Sequence, residues 1–224
     1  KHTDMRKVIF IFGLLMVCVP IAYYFNKPDD KKKLAIISPI DLDTDVVDPE
    51  LRNKGRAHFI SDFELTDQYN EKFSSKAIKG KIWIVEYFFS TCKGICPIMN
   101  EEMKRVQLAY NNDTNVVILS LTVDPEHDEP EILKSYAEEH DAQKGKWFFL
   151  TGAKKTLYEL ARKSFFLLKP AEAKNQGDVG SDFIHTNNFV LIDKNKQIRG
   201  YYDGTNPAEV TELIEDIDIL KGQS

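Results

Sequence analysis

Cysteine is scarce in this chain. Three occur in 224 residues, at Cys18, Cys92 and Cys96, too few for a fold held by a disulfide framework. Excess positive charge is also missing. Thirty lysines and arginines stand against 35 acids, a net charge of −5, which excludes the basic surface that binds nucleic acid. No internal repeat occurs, so a solenoid or propeller is excluded. What remains is a chain long enough for one domain with a sizeable core and some additional sequence.

One uncharged hydrophobic run is present. Val8 to Phe25, VIFIFGLLMVCVPIAYYF, has 18 residues without a charge and predicts a single membrane-spanning helix. Arg6 and Lys7 precede it, which places residues 1–7 in the cytoplasm and the rest outside. Tyr23, Tyr24 and Phe25 after Ala22 make a poor signal-peptidase site, and Leu15-Met16-Val17 before Cys18 lack the small residues of a lipoprotein site, so Cys18 reads as an apolar membrane residue. No Arg- and Ser-rich transit peptide precedes the run, which favours a bacterial periplasm over a mitochondrial compartment. Residues 1–25 carry +2 from Lys1, Arg6 and Lys7 against Asp4, leaving −7 on the remainder. Residues 26–57 open with charge, carry Asp41, Asp43, Asp45, Asp48 and Glu50, and show little hydrophobic period, which predicts a polar tether.

From His58 the pattern becomes that of a folded domain. HFISDFELTDQYNEKFSS predicts a short strand pair. IWIVEYFF (82–89) and NVVILSLTVD (115–124) predict strands buried on both faces. Helices are expected after Pro97, over 130–140, and over KKTLYELARKSF; WFFLTG predicts a further strand. Residues 170–182 read as a long polar loop. HTNNFVLIDKNKQIRGYYDG predicts a hairpin turning at Asp193–Lys196, and a closing helix starts with Asn206 as N-cap and Pro207 at N1. Strands alternating with helices predict an α/β sheet covered on both faces. The segment STCKGICPIMN lies where a central strand passes into a helix, the usual place for chemistry in such sheets.

Three residues separate Cys92 from Cys96, where a thioredoxin-type reductase would have two. A helix N-terminus lowers the pKa of a nearby thiol, and the thiolate is both nucleophile and metal ligand. Disulfide exchange and metal binding are therefore both open. Two soft thiolates suit Cu(I), and a tighter site takes a third ligand, commonly imidazole. Of the five histidines, His2, His58, His127 and His140 sit in a tail, a boundary, a polar loop and a helix end. His185 opens a strand after a long loop, where a scaffold commonly presents a functional side chain.

STCKGICPIMN after a buried strand, then LTVDPEHDEP, then FIHTNNFVLID, resembles the Sco/SenC family over about residues 58–221 together with the N-terminal run. The resemblance implies a thioredoxin-like copper-binding domain at 58–224 on a membrane anchor at 8–25. It implies a metallochaperone that binds one copper ion and helps to assemble the copper A centre of cytochrome c oxidase, with that oxidase subunit as partner. The family's metal ligands fall on Cys92, Cys96 and His185, and its aspartate near the metal loop falls on Asp124. Many members have Pro-Asp after the first cysteine where this chain has Lys93-Gly94, and Arg where it has His127. A thiol–disulfide oxidoreductase that keeps the oxidase's copper-site cysteines reduced is the alternative. A peroxiredoxin-type peroxidase finds only Thr91 beside Cys92, without supporting spacing.

Met99 and Met103 follow Cys96 at helical spacing and read as core, as do Trp83 and Trp147. Glu86 interrupts an apolar strand, where a buried carboxylate is costly unless partnered. It reads as a sheet-end carboxylate paired with a lysine, against a competing role as proton acceptor beneath the cysteines.

Overall fold

The computed structural model describes residues 9, 16–18, 33–42, 47, 49–52, 58–167 and 186–223. Residues 1–32 form a unit of their own; in it Ile9 and Met16–Cys18 are helical. Among the described residues no helix is long and apolar enough to cross a membrane. Most of the expected anchor at 8–25 lies outside the described residues, as does the loop at 170–182.

Residues 33–224 form the second unit. Its strands are β1 (Glu64–Asp67), β2 (Lys72–Ser74), β3 (Ile82–Phe88), β4 (Val116–Thr122), β5 (Trp147–Thr151), β6 (Asn188–Ile192) and β7 (Ile198–Asp203). Its longer helices are α1 (Cys96–Ala109), α2 (Pro130–Glu139), α3 (Lys154–Glu159) and α4 (Pro207–Gly222). The strands make one sheet in the order β2-β1-β5-β4-β3-β6-β7. β3, β4 and β5 run parallel, and hairpins flank them on both sides. The expected strand pair, buried strands and C-terminal hairpin are all present.

All seven residues of β3 and all seven of β4 are buried, which is why neither shows polar alternation in sequence. The side chains still alternate between two cores. Trp83, Val85 and Tyr87 face one with Leu119, Leu150 and Phe165. Ile82, Ile84 and Phe88 face the other with Cys96, Met99, Met103, Leu133 and Val210. The N-cap at Asn206 accepts from Ala208 N–H at 3.0 Å, and Lys196 takes the positive φ of 63° that the β6–β7 turn needs.

Two elements differ from the sequence reading. The helix expected over KKTLYELARKSF ends at Glu159 and widens into a π-turn at Leu160–Ser164. The wider turn lets Leu160, Ala161 and Phe165 reach one core together, with Phe165 edge-on to Tyr87 at 6.2 Å. Part of the expected tether is packed. Leu34, Ser38, Pro39 and Val47 are buried, Ile37 N–H donates to the Ile198 carbonyl at 2.8 Å, and Arg199 donates to the carbonyls of Leu34 and Ala35. The segment covers the open edge of β7, as edge strands require.

This packing gives a first prediction. A chain beginning at residue 33 should be more stable to denaturant than one beginning at residue 58, by about 2 kcal/mol, the scale of one buried aliphatic side chain. Equal unfolding midpoints and slopes would contradict the contribution assigned to the segment.

Candidate metal centre

β3 ends at Phe88 and α1 starts at Cys96, so Cys92 lies in the connecting loop. The residue before α1 is Ile95, with helical φ −80° and ψ −29° and no side-chain cap. A helix begins with N–H groups that have no partner within the helix, and isoleucine supplies none. Pro97 in the first turn removes one such donor. The N–H groups of Gly94, Ile95 and Cys96 act on the nearby Cys92 sulfur and favour its thiolate.

The two thiols are therefore unlike. Both are free, Cys92 half-buried and Cys96 buried. Burial works against the Cys92 thiolate, but hydrogen bonds from the Cys96 thiol and from the N–H groups of Cys96, Gly94 and Ile95 outweigh it and hold its pKa below the usual thiol value. Burial pushes the Cys96 thiol well above that value. Its hydrogen bond to Cys92 and the nearby charges of Cys92 and Glu86 add to the rise, while the Phe89 N–H acts against it.

Glu86 is not at a sheet end and, among the described residues, has no lysine partner. It sits within β3, 0% exposed, opposite Ser120 in the parallel register. Ser120 Oγ donates to Glu86 Oε1 at 2.5 Å and accepts from Trp147 Nε1 at 2.7 Å. The second oxygen, Oε2, has no partner among the described residues. Burial pushes this carboxyl up to about 7, and the Ser120 hydrogen bond offsets only part of the rise. On the alternating face of β3 it points to the same core as Cys96.

A second buried carboxylate holds the start of the cysteine loop. Asp128, 0% exposed, accepts from Ser90 N–H at 3.3 Å and 3.2 Å through its two oxygens. It also accepts from the hydroxyls of Ser90 and Thr122. Sequence reasoning missed Ser90 and Asp128. The signal available was a second aspartate four residues after Asp124 in LTVDPEHDEP, a segment read only as a polar loop. On the helix side, Asn100 is one turn beyond Cys96 and donates to the Tyr136 hydroxyl at 2.6 Å, with His140 Nε2 at 3.1 Å. This joins α1 to α2.

Other expected site residues fall as follows. Asp124 is half-buried; its N–H donates to Thr122 Oγ1 at 2.9 Å, and its carbonyl accepts from His127 and Asp128. His127 is exposed. Met99 and Met103 are core residues at 1% and 0% exposure. Trp83 and Trp147 are also core, each with its ring N–H satisfied. His185 lies outside the described residues. β6, which follows it, pairs antiparallel with β3 through Trp83↔Ile192 and Val85↔Val190. The chain entering β6 therefore arrives at the end of β3 from which the cysteine loop departs. Among the described residues no group of three His, Cys, Asp or Glu side chains is placed to hold a metal.

The Glu86 environment predicts a pH dependence. Its carboxyl ionises near 4.5 in the unfolded chain and near 7 in the folded one. The fold then carries no penalty below pH 4.5 and loses about 3 kcal/mol as pH rises through 7. Glu86→Gln should flatten that decline in denaturant titrations between pH 4.5 and 8. A decline of unchanged size would contradict the assignment.

The SCO1/SenC family model matches residues 52–220. A Bacillus subtilis SCO1 protein homolog is 29% identical over 161 residues, covering 70% of this chain and 80% of that protein. A Stutzerimonas stutzeri protein named for copper binding is 30% identical over 148 residues, covering 65% and 70%. Among solved structures, BsSco, a Sco-family cytochrome c oxidase assembly protein with a disulfide switch, superposes with a TM-score of 0.62 at 28% identity, covering 75% of this chain and 95% of that one. A sheet of this thioredoxin-like topology, the C-x-x-x-C-P turn at its centre and a match over most of the domain agree: the chain belongs to the SCO1/SenC family.

Proposed function

We propose that this protein is a copper metallochaperone that takes one copper ion through Cys92, Cys96 and His185 and helps to assemble the copper A centre of cytochrome c oxidase. The observation that carries the reading is the sulfur pair at the head of α1. The N–H groups of Gly94, Ile95 and Cys96 favour the Cys92 thiolate, and the Cys96 thiol is close enough to act on it. Soft, adjacent thiolates fit Cu(I), and the family's named relatives include a copper-binding protein. Copper is cargo here, so the protein is not a conventional enzyme. Cys92 is partly exposed, which suits a ligand that must be exchanged with a partner. Cys96 has to lose its proton when metal is taken up, so loading weakens as pH falls. His185 is the third ligand; it stands three positions before β6 in sequence, and β6 starts at the end of β3 from which the cysteine loop departs. Asp124 supports the site from the β4 exit. The charge order around residues 8–25 supports a single-pass anchor, with the domain on the extracytoplasmic, periplasmic side and its partner, the oxidase copper A subunit, at the same membrane.

The unequal thiols favour a second activity of the same site, reduction of the partner's copper-site disulfide. The Cys92 thiolate attacks one partner sulfur and releases the other as a thiolate. Cys96, once it has lost its proton, then attacks Cys92 Sγ and releases the second partner thiolate. A Cys92–Cys96 disulfide forms, two electrons pass to the partner, and no other reductant is needed. BsSco carries a disulfide switch, and oxidised cysteines hold no metal, so the two activities share one cycle.

The test is a Cu(I) titration of the reduced full chain, beside Cys92→Ala, Cys96→Ala and His185→Ala, with disulfide exchange followed on the same proteins. One copper per chain is expected, weakened at least tenfold by each cysteine change and by about tenfold by His185→Ala. Exchange should survive His185→Ala and vanish without Cys92. Copper retention indifferent to His185, with exchange intact, would overturn the three-ligand site and leave the reductase.

A further inference from the structure

The cysteine loop is tied to the sheet by a carboxylate that takes no part in either chemistry above. Asp128 lies in the segment between β4 and α2, fully buried, and burying a carboxylate is costly unless every oxygen is served. Its donors come from two different places. Ser90 supplies its N–H to both oxygens and its hydroxyl to Oδ1. Thr122, the last residue of β4, supplies its hydroxyl to Oδ2. The Thr122 hydroxyl oxygen also accepts from Asp124 N–H, and Asp128 N–H donates to the Asp124 carbonyl at 2.8 Å, so the 122–128 turn closes on itself. Next to it, Val123 N–H donates to the Phe88 carbonyl at 2.9 Å. The exits of β3 and β4 are thus joined twice, once through backbone and once through Asp128.

Ser90 is where this joint meets the site. It lies two residues before Cys92, and the Cys92 N–H donates to the Phe89 carbonyl at 3.1 Å. The position of the Cys92 sulfur relative to Gly94, Ile95 and Cys96 depends on where the loop leaves β3, and Ser90 lies at that exit, held by Asp128.

We infer that Asp128 is a positioning residue: through Ser90 it holds the cysteine loop so that the Cys92 sulfur sits over the start of α1, and so favours the dithiol over the Cys92–Cys96 disulfide. The inference rests on the reading of Cys92 and Cys96 as the working pair. It needs neither copper nor the oxidase for its test. Hydrogen bonds to a charged acceptor are strong enough for the loss of one to move an equilibrium about tenfold.

The test is the dithiol–disulfide equilibrium of the full chain carrying Cys18→Ser, measured against glutathione and read by thiol labelling. Ser90→Ala and Asp128→Asn should shift it toward the disulfide by about tenfold. Ser90→Thr, which keeps the hydroxyl, should stay at the unsubstituted value. Thr122→Val removes a bond to the same carboxylate on the side away from the cysteines. It should lower the melting temperature and leave the equilibrium within about twofold. An equilibrium unmoved by Ser90→Ala and Asp128→Asn would overturn the inference, as would an equal shift in Thr122→Val. Failure of copper binding in the unsubstituted chain would count against the chaperone reading and leave this test unaffected.

Discussion

The first turn of α1 has backbone N–H groups to satisfy and no capping side chain to satisfy them. Ile95 stands where a serine or aspartate would serve, and Pro97 follows. The Cys92 sulfur lies close to this turn, and the N–H groups of Gly94, Ile95 and Cys96 hold its pKa below the usual thiol value, since nearby donors favour a charged acceptor over a neutral one. Cys96 faces the opposite constraint. As the first residue of α1 it points into the core with Met99 and Met103, where its ionised form is disfavoured. The functional difference between the two thiols follows from which is outside the helix and which is in it.

The sheet makes that junction rigid. β3 is central, with β4 and β6 as neighbours, and is buried on both faces, so its end cannot move without disturbing two cores. Asp128 and the Val123–Phe88 bond join it to β4. Asn100 joins α1 to α2 through Tyr136 and His140. Two buried carboxylates lie close to the loop with different surroundings. Asp128 is surrounded by donors from Ser90 and Thr122. Among the described residues Glu86 has one donor, Ser120, and one oxygen without a partner. The first is built to hold geometry. The second is poised near pH 7 and suits proton exchange.

Much of this was legible in the sequence. Apolar runs at 82–89 and 115–124 mark central strands because only doubly covered strands lose polar alternation. The Cys92–Cys96 spacing, Pro97 and the strand before them place the site at a strand-to-helix turn. What could not be read depends on contacts between segments far apart in sequence. Glu86 has Ser120 and Trp147 for neighbours rather than a lysine, because the register of β3 on β4 decides its surroundings. Asp128 reaches Ser90 across 38 positions. Leu34 and Ile37 are sparse in a polar stretch, and their placement depends on the open edge of β7. The widened turn at Leu160–Ser164 follows from core shape that helical periodicity does not encode.

Competitive alkylation tests the inequality of the two thiols directly. The reduced full chain is treated with limiting iodoacetamide across about pH 5 to 10, and peptide mapping follows each cysteine separately. Cys92 should be modified first, with a reactivity midpoint below that of an ordinary thiol, about 8.5, while Cys96 stays protected throughout. Equal rates for the two, or a Cys92 midpoint at or above the ordinary value, would contradict it.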